Sequence, residues 1–174
     1  MKTLIALFLT LLPVASFAIT PVSGDTGNIQ SDHQNPGFTN NMTSFWVKEK
    51  YNKPCWVQVG FRTTWPDTIE RCIGSAPSGS KGKVQVGLYV TGIRVCHSDS
   101  GRVKGYTLFG KDGNGNTQVE TFKRPNCDTW QQRVNCPAGE MARGVRLHFD
   151  AGSGNKSDIL TGVQLHCGYA PFVE

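Results

Sequence analysis

The chain has 174 residues, with 18 lysines and arginines against 13 aspartates and glutamates, for a formal net charge of +5. That length suits one domain with a sizeable core, and the mild, scattered positive excess suits acidic glycans or lipid headgroups without specifying nucleic acid. The cysteines number six, none in the close C-x-x-C pairs of a zinc site, so no metal is expected and disulfides are.

Residues 1–18, "MKTLIALFLTLLPVASFA", read as a secretory signal peptide. Lys2 leads an apolar run that is short for a membrane span and is interrupted by Pro13. Ser16 and Ala18 stand where a signal peptidase reads small residues. Cleavage after Ala18 removes one charge and leaves 17 basic against 13 acidic residues, a net +4. No later stretch is long and apolar enough to cross a bilayer, so the mature chain is expected to be secreted and soluble, without a transmembrane segment.

Residues 19–44 are polar and read either as a strand pair or as a loose arm, ahead of a domain over 45–174. Turn signals recur at "NPG" (35–37), "SAPSGSKGK" (75–83), "KDGNGN" (111–116) and "DAGSGN" (150–155). Between them lie short β-type runs. "WVQVGF" (56–61) and "VQVGLYVTGIRV" (84–95) alternate or are β-branched. "GVRLHF" (144–149) puts Val145, Leu147 and Phe149 on one face and Arg146 and His148 on the other. "TGVQLHC" (161–167) does the same with Val163, Leu165 and Cys167 against Gln164 and His166. Many short strands with glycine-rich turns predict an all-β sandwich, barrel or prism.

"VTGIRVC" (90–96) and "LTGVQLHC" (160–167) read as the closing strands of two related units. Each follows a tryptophan and a cysteine, in "TWPDTIERC" (64–72) and "DTWQQRVNC" (128–136). The copies are not strict. Aligned on "TG", Cys167 shares the face of Val163 and Leu165, whereas Cys96 falls on the opposite face from Ile93 and Val95 unless a bulge restores the phase.

"CPAGEMARGVRLHF" and "GNKSDILTGVQLHC" resemble a repeat of the vitelline membrane outer layer protein family. Trp130, Cys136, Pro137, Gly139, Gly144, Leu147, Asp158, Leu160, Gly162, Val163, Leu165 and Cys167 fall in its places. The resemblance is good over 115–167, fair over 84–100 and poor before residue 55. The family usually carries eight cysteines and three clear repeats, against six and two here. The resemblance implies a disulfide-stapled β-prism: three antiparallel sheets around a pseudo-threefold axis. It also implies a secreted, non-catalytic coat or binding protein with an affinity for amino-sugar glycans. Cys136 and Cys167 match family positions, and their separation suits one repeat closed on itself, so they are expected to pair. The same repeat logic pairs Cys72 with Cys96 and leaves Cys55 with Cys127. Cys55–Cys72 is the rival, because "DTIERC" also resembles a shortened closing strand.

Candidate chemistry is thin. His148 and His166 lie on outward faces of one unit. With Asp150 or Asp158 they could bind a metal or act in acid–base chemistry, but a third ligand or a nucleophile is missing, and two solvent-facing histidines beside turns are the simpler reading. The acidic residues are dispersed, with no glycosidase pair. The tryptophans carry the case for sugar binding, because an indole face packs on the apolar face of a pyranose. Trp56 reads as core, and Trp65 and Trp130 as packing the edges of their units. Trp130 is the first choice as a sugar platform and Trp46 the second, with Asn114 and Asn155 in the polar loops as hydrogen-bonding partners. Two sequons, at Asn41 and Asn155, sit in polar, turn-like stretches. The expected function is a non-catalytic extracellular protein, without a cofactor, that binds a glycan or matrix surface. The alternatives are a secreted effector or toxin module adhering to host glycans or membranes, and a small secreted hydrolase using His148 or His166.

Overall fold

The computed structural model describes residues 18–34, 40–75, 77–79 and 81–169. The signal-peptide segment through residue 17 and the "NPG" turn lie outside these residues. The described chain is all strand and loop: β1 (Ala18–Ile19), β2 (Ser23–Gly24), β3 (Ile29–Gln34), β4 (Met42–Lys50), β5 (Lys53–Phe61), β6 (Asp67–Glu70) and β7 (Val84–Gln85), then β8 (Tyr89–His97), β9 (Val103–Lys111), β10 (Thr117–Lys123), β11 (Thr129–Trp130), β12 (Val134–Asn135), β13 (Glu140–Asp150) and β14 (Ile159–Tyr169).

Three long antiparallel hairpins, β4–β5, β8–β9 and β13–β14, each form the middle of a sheet. The sheets run β6-β5-β4-β7, then β10-β9-β8 with β11 and β12 beside β8, then β3-β13-β14 with β1 and β2 beside β14. Alternation along each hairpin sends one row of apolar side chains inward. Phe45, Val57 and Val59 from the first, Ile93, Val95 and Leu108 from the second, and Val145, Leu147, Val163 and Leu165 from the third meet in a single core. Bulges interrupt the hairpins, at Ala142/Gly144, Val90/Gly92 and Met42/Ser44 among other places.

The hairpin turns gather at one end. Lys104 Nζ, at the start of β9, donates to the carbonyl and the side-chain oxygen of Asn52 in the β4–β5 turn, each at 2.8 Å, and to Glu49 Oε1 at 2.8 Å. Ile73 N donates to Ser157 Oγ, in the β13–β14 loop, at 2.9 Å. At the opposite, open end the first and last residues of the hairpins meet. There Arg143 on β13 donates to Asn41 Oδ1 at 3.0 Å, and Tyr89 packs with Met141.

Several sequence expectations change. Residues 18–34 are neither a separate strand pair nor a loose arm. They supply β1 and β2 beside β14 and β3 beside β13, completing the third sheet, and the expected boundary at 44/45 falls inside β4. "TGIRVCH" opens its hairpin as β8, whereas "TGVQLHC" closes its own as β14. The two hold the same place in their sheets but run in opposite directions. The disulfides follow from this. Cys136–Cys167 is formed as expected, but the other two are Cys55–Cys72 and Cys96–Cys127. Cys96 is out of phase with Ile93 and Val95, so it faces outward. There it meets the chain after β10, which lies along β8 through Asp128 N to His97 O at 2.8 Å. β6 pairs with β5 and brings Cys72 back to Cys55, with Arg71 N donating to Cys55 O at 2.7 Å.

The Asn41 sequon is not an exposed turn. Asn41 is buried, its Oδ1 accepts from Arg143, and its Nδ2 is enclosed without a partner. Asn155 is exposed in the β13–β14 loop.

Closing a loop between residues 31 apart is worth about 3–4 kcal/mol in the chain-entropy model. The Cys136→Ala/Cys167→Ala variant is therefore expected to lower the unfolding free energy by roughly that amount. Urea denaturation should show it as a lower midpoint, with the slope raised if the denatured chain expands.

Candidate binding cleft

The polar outer face of the third sheet holds the histidines singled out in the sequence. Both point outward, but neither is solvent-facing: His148 is 1% and His166 4% exposed. Nor are they neighbours. The cross-strand partner of His148 is Gly162 and that of His166 is Gly144, which places them four residues apart along β13, about 13 Å. His148 Nε2 hydrogen-bonds Gln164 Oε1 at 2.7 Å, and its Nδ1 is enclosed without a partner. His166 Nε2 meets Asp32 Oδ1 at 2.6 Å, and Arg146 donates to both oxygens of the same carboxylate, at 2.8 and 3.0 Å. This knot joins β3, β13 and β14.

The tryptophans are dispersed. Trp130, on β11, is half-buried, with the Arg94 guanidinium 4.5 Å from its ring. Trp46 stands edge-on to the buried Trp56 at 5.3 Å, with Lys48 Nζ 4.1 Å from its own ring, and its indole N–H donates to Lys81 O at 3.0 Å. Trp65 does not pack an edge: it is 92% exposed, in the loop after β5 at the open end. Asn114 is exposed in the β9–β10 turn, where Asp112 Oδ1 accepts from its N–H at 2.8 Å. Trp130 pairs with Cys96 and the Asn114 turn adjoins Lys111, opposite Tyr89. Seven residues of β8, about 23 Å, separate the two. Asn155 lies at the hairpin end, so the four predicted site residues do not converge.

A cleft that the sequence reading missed lies at the open end, beside the Asn114 turn. It encloses about 340 Å³ between the start of β8, the end of β9 and the β12–β13 connection, and Tyr89, Thr91, Lys111, Arg133, Asn135 and Glu140 contribute polar groups. Its rim is held stiffly. Cys136 N donates to Thr91 O at 2.8 Å, and Cys136 is tied to Cys167. Glu140 N donates to Pro137 O at 3.0 Å across a turn in which Gly139 has φ +80°, a conformation that glycine adopts without a Cβ penalty. Arg133 is spread over the Phe109 ring, 3.6 Å from its centre, and its Nε donates to Asn135 Oδ1. Burial and the nearby Arg94 charge lower the Arg133 pKa. Glu140 Oε2 is enclosed and has no partner. The signals for this cleft were "CPAGE", a turn delivering an acid, and Tyr89 at a strand start. Neither stands out until β8 and β13 are known to be neighbours.

No protein-family model matches the chain, and none of the curated proteins does. Solved structures do. Calystegia sepium agglutinin is 15% identical, with a TM-score of 0.53 over 91% of this chain and 99% of its own. A prostate-specific WGA16 glycoprotein lectin is 13% identical, with a TM-score of 0.52 over 86% and 99%. The fold is a β-prism. The V. cholerae biofilm matrix protein Bap1 carries a similar unit, 15% identical with a TM-score of 0.51 over 90% of this chain, which spans 24% of Bap1. Calsepa lectin has also been solved in complex with a biantennary N-glycan.

The Asp32 knot makes this prism acid-sensitive in two stages. Burial is the main cause lowering the His166 pKa from its ordinary 6.5. The stability it lends is thus full above that value and lost as pH falls through the folded-state pKa. The Arg146 hydrogen bond is the main cause lowering the Asp32 pKa from 3.8, so its contribution is full above 3.8 and lost at still lower pH. Urea midpoints measured across pH should fall in these two windows. His166→Gln should flatten the upper one, and an unchanged slope would remove His166 from it.

Proposed function

We propose that the chain is a secreted, non-catalytic protein that recognises glycans through the open-end cleft. The observation that carries this is the cleft itself, about 340 Å³, lined by the acid Glu140, the bases Lys111 and Arg133, the amide Asn135 and the Tyr89 ring. A sugar hydroxyl or the N–H of an acetamido group can donate to the Glu140 carboxylate where it lines the cleft, at the strength of a charge-assisted bond. Lys111, Arg133 and Asn135 donate to ring and hydroxyl oxygens, and the Tyr89 ring offers an apolar wall. An N-acetylated amino sugar fits best, because its N–H is a fixed donor and its methyl group can pack on that ring.

Three further facts support the reading. Prisms of this kind include lectins, one of them solved with an N-glycan. The groups that could do acid–base chemistry are buried and apart, at His148 and His166, rather than paired in a shared pocket. Three disulfides suit persistence in an oxidising extracellular space. A coat role, as in the vitelline membrane outer layer family, would use the same cleft to hold neighbouring glycans.

A glycan array on the mature chain tests this. The wild type should retain N-acetylhexosamine-terminated glycans, with competition by free N-acetylglucosamine. Glu140→Gln should weaken binding about 10- to 100-fold, the range for a lost hydrogen bond to a charged group, with thermal unfolding unchanged. Equal binding by Glu140→Gln would remove the cleft from the site. Loss on Trp130→Ala alone would move the site to the outer face beside β8. A wild type that binds no glycan overturns the proposal.

A further inference from the structure

The other end of the prism carries a second cleft of different chemistry. It encloses about 240 Å³ and is lined by Lys50, Tyr51, Lys53, Ile73, Asn155, Lys156 and Ser157. Three of the seven are lysines and none is acidic. The two carboxylates that adjoin the lining residues in sequence are engaged: Glu49 is held by Lys104 at 2.8 Å and Arg124 at 3.3 Å, and Asp158 Oδ1 accepts from Gly152 N at 2.9 Å. Lys50 Nζ donates to the carbonyls of Ile73 and Ser75, at 2.7 and 3.0 Å, so it is positioned but its charge is not neutralised. Such a cleft selects an anion.

The rim decides which kind of anion carrier fits. Tyr51 is 88% and Ile73 46% exposed, two of the few large apolar side chains so exposed among the described residues. Tyr51 is presented by a turn with left-handed backbone, φ 50° at Tyr51 and 61° at Asn52. That turn is clamped from behind: Asn52 accepts from Lys104, from Arg102 at 3.4 Å and from Asn126 at 3.2 Å. The aromatic side chain is therefore offered on a stiff backbone mount. A soluble sulfated polysaccharide has little use for an exposed isoleucine. A bilayer interface uses both: tyrosine and isoleucine enter the headgroup boundary while lysines meet phosphates.

We infer that the hairpin end is a docking surface for membranes rich in anionic phospholipid. Lys50, Lys53 and Lys156 face the headgroup phosphates, and Tyr51 and Ile73 dip into the interface. This surface is separate from the glycan cleft, so either reading can fail alone.

The test is flotation of the mature chain with phosphatidylcholine vesicles containing about one-third phosphatidylserine, against pure phosphatidylcholine, at low and high salt. The wild type should float with the anionic vesicles only, and less so as salt rises. Lys53→Gln/Lys156→Gln should cut partitioning roughly 20- to 30-fold, at about fivefold per lysine, while keeping its glycan binding and thermal midpoint. Tyr51→Asn, which tolerates the left-handed backbone, should also weaken it. Lys156→Glu, in an exposed loop, serves if the double variant does not fold. The inference is overturned if the wild type ignores anionic vesicles, or if both lysine variants float as the wild type does. Retention on heparin without vesicle binding also overturns it and points to a sulfated glycan.

Discussion

The prism closes only because both ends of the chain share its third sheet. β13 and β14 cannot form that wall alone. β3 must lie along β13, and residues 18–24 along β14, before the sheet reaches the width of the other two. The Asp32 carboxylate makes the joint specific. Its two oxygens meet Arg146 and its partner His166, so a strand from the start of the chain is bound to two strands at its end. The neighbouring backbone reinforces this: Thr20 N donates to Leu165 O at 3.0 Å and Asp25 N to Thr161 O at 3.0 Å. Pairing across so much sequence carries a loop-closure cost before any contact is gained. The disulfides Cys96–Cys127 and Cys136–Cys167 shorten the path by holding the second and third hairpins to their flanking segments.

A scaffold stiffened this way keeps its clefts at its two ends. The walls are outer sheet faces whose aromatic rings are already covered, Trp130 by Arg94, Phe109 by Arg133, and Trp46 by Lys48. Cations stacked on rings make those faces polar and stable without making them pockets. The clefts instead form where hairpins from different sheets meet, and the two meetings differ in charge. The open end combines an acid with two bases and an amide, a mixture for hydroxyl-rich ligands. The hairpin end holds only bases.

Much of the fold was legible because alternation is a local signal. Val145, Leu147 and Phe149, then Val163, Leu165 and Cys167, sit in the core where their period put them. The resemblance in the C-terminal unit carried the prism and Cys136–Cys167. What could not be read was which strands lie side by side. "TGIRVC" and "TGVQLHC" are alike because they hold like places, yet chain direction, which decides the reachable cysteine, leaves no local trace. Two clues were visible: the phase shift of Cys96 weakened Cys72–Cys96 without naming Cys127, and "DTIERC" offered Cys55–Cys72, the rival pairing that formed. Burial of His148 and His166 was hidden for the same reason, because residues 18–34 had not been placed next to them. The backbone there passes so close that a Cβ on Gly27 would stand 2.2 Å from Phe149 O, and one on Gly162 2.4 Å from Asp25 O. Trp56 and Trp65 differ in sequence only by a strand and a proline-bearing loop, and end at 7% and 92% exposure. The open-end cleft was the least legible feature, because its walls come from two sheets.

The geometry of the ends constrains how the molecule could be used. The long strands run nine to eleven residues, so about 30 Å separates the clefts. A prism docked by its hairpin end on an anionic surface would keep its open-end cleft at the far end, about 30 Å from that surface. The sequons fall in with this polarity. Asn41, at the open end, is sealed beneath Arg143 and cannot carry a glycan in the folded chain. Asn155 is exposed, but it lines the lysine cleft, where an attached glycan would fill the space that headgroups need. A glycan attached at Asn155 would therefore oppose the docking we infer for that surface, and would leave the open-end cleft, about 30 Å away, free.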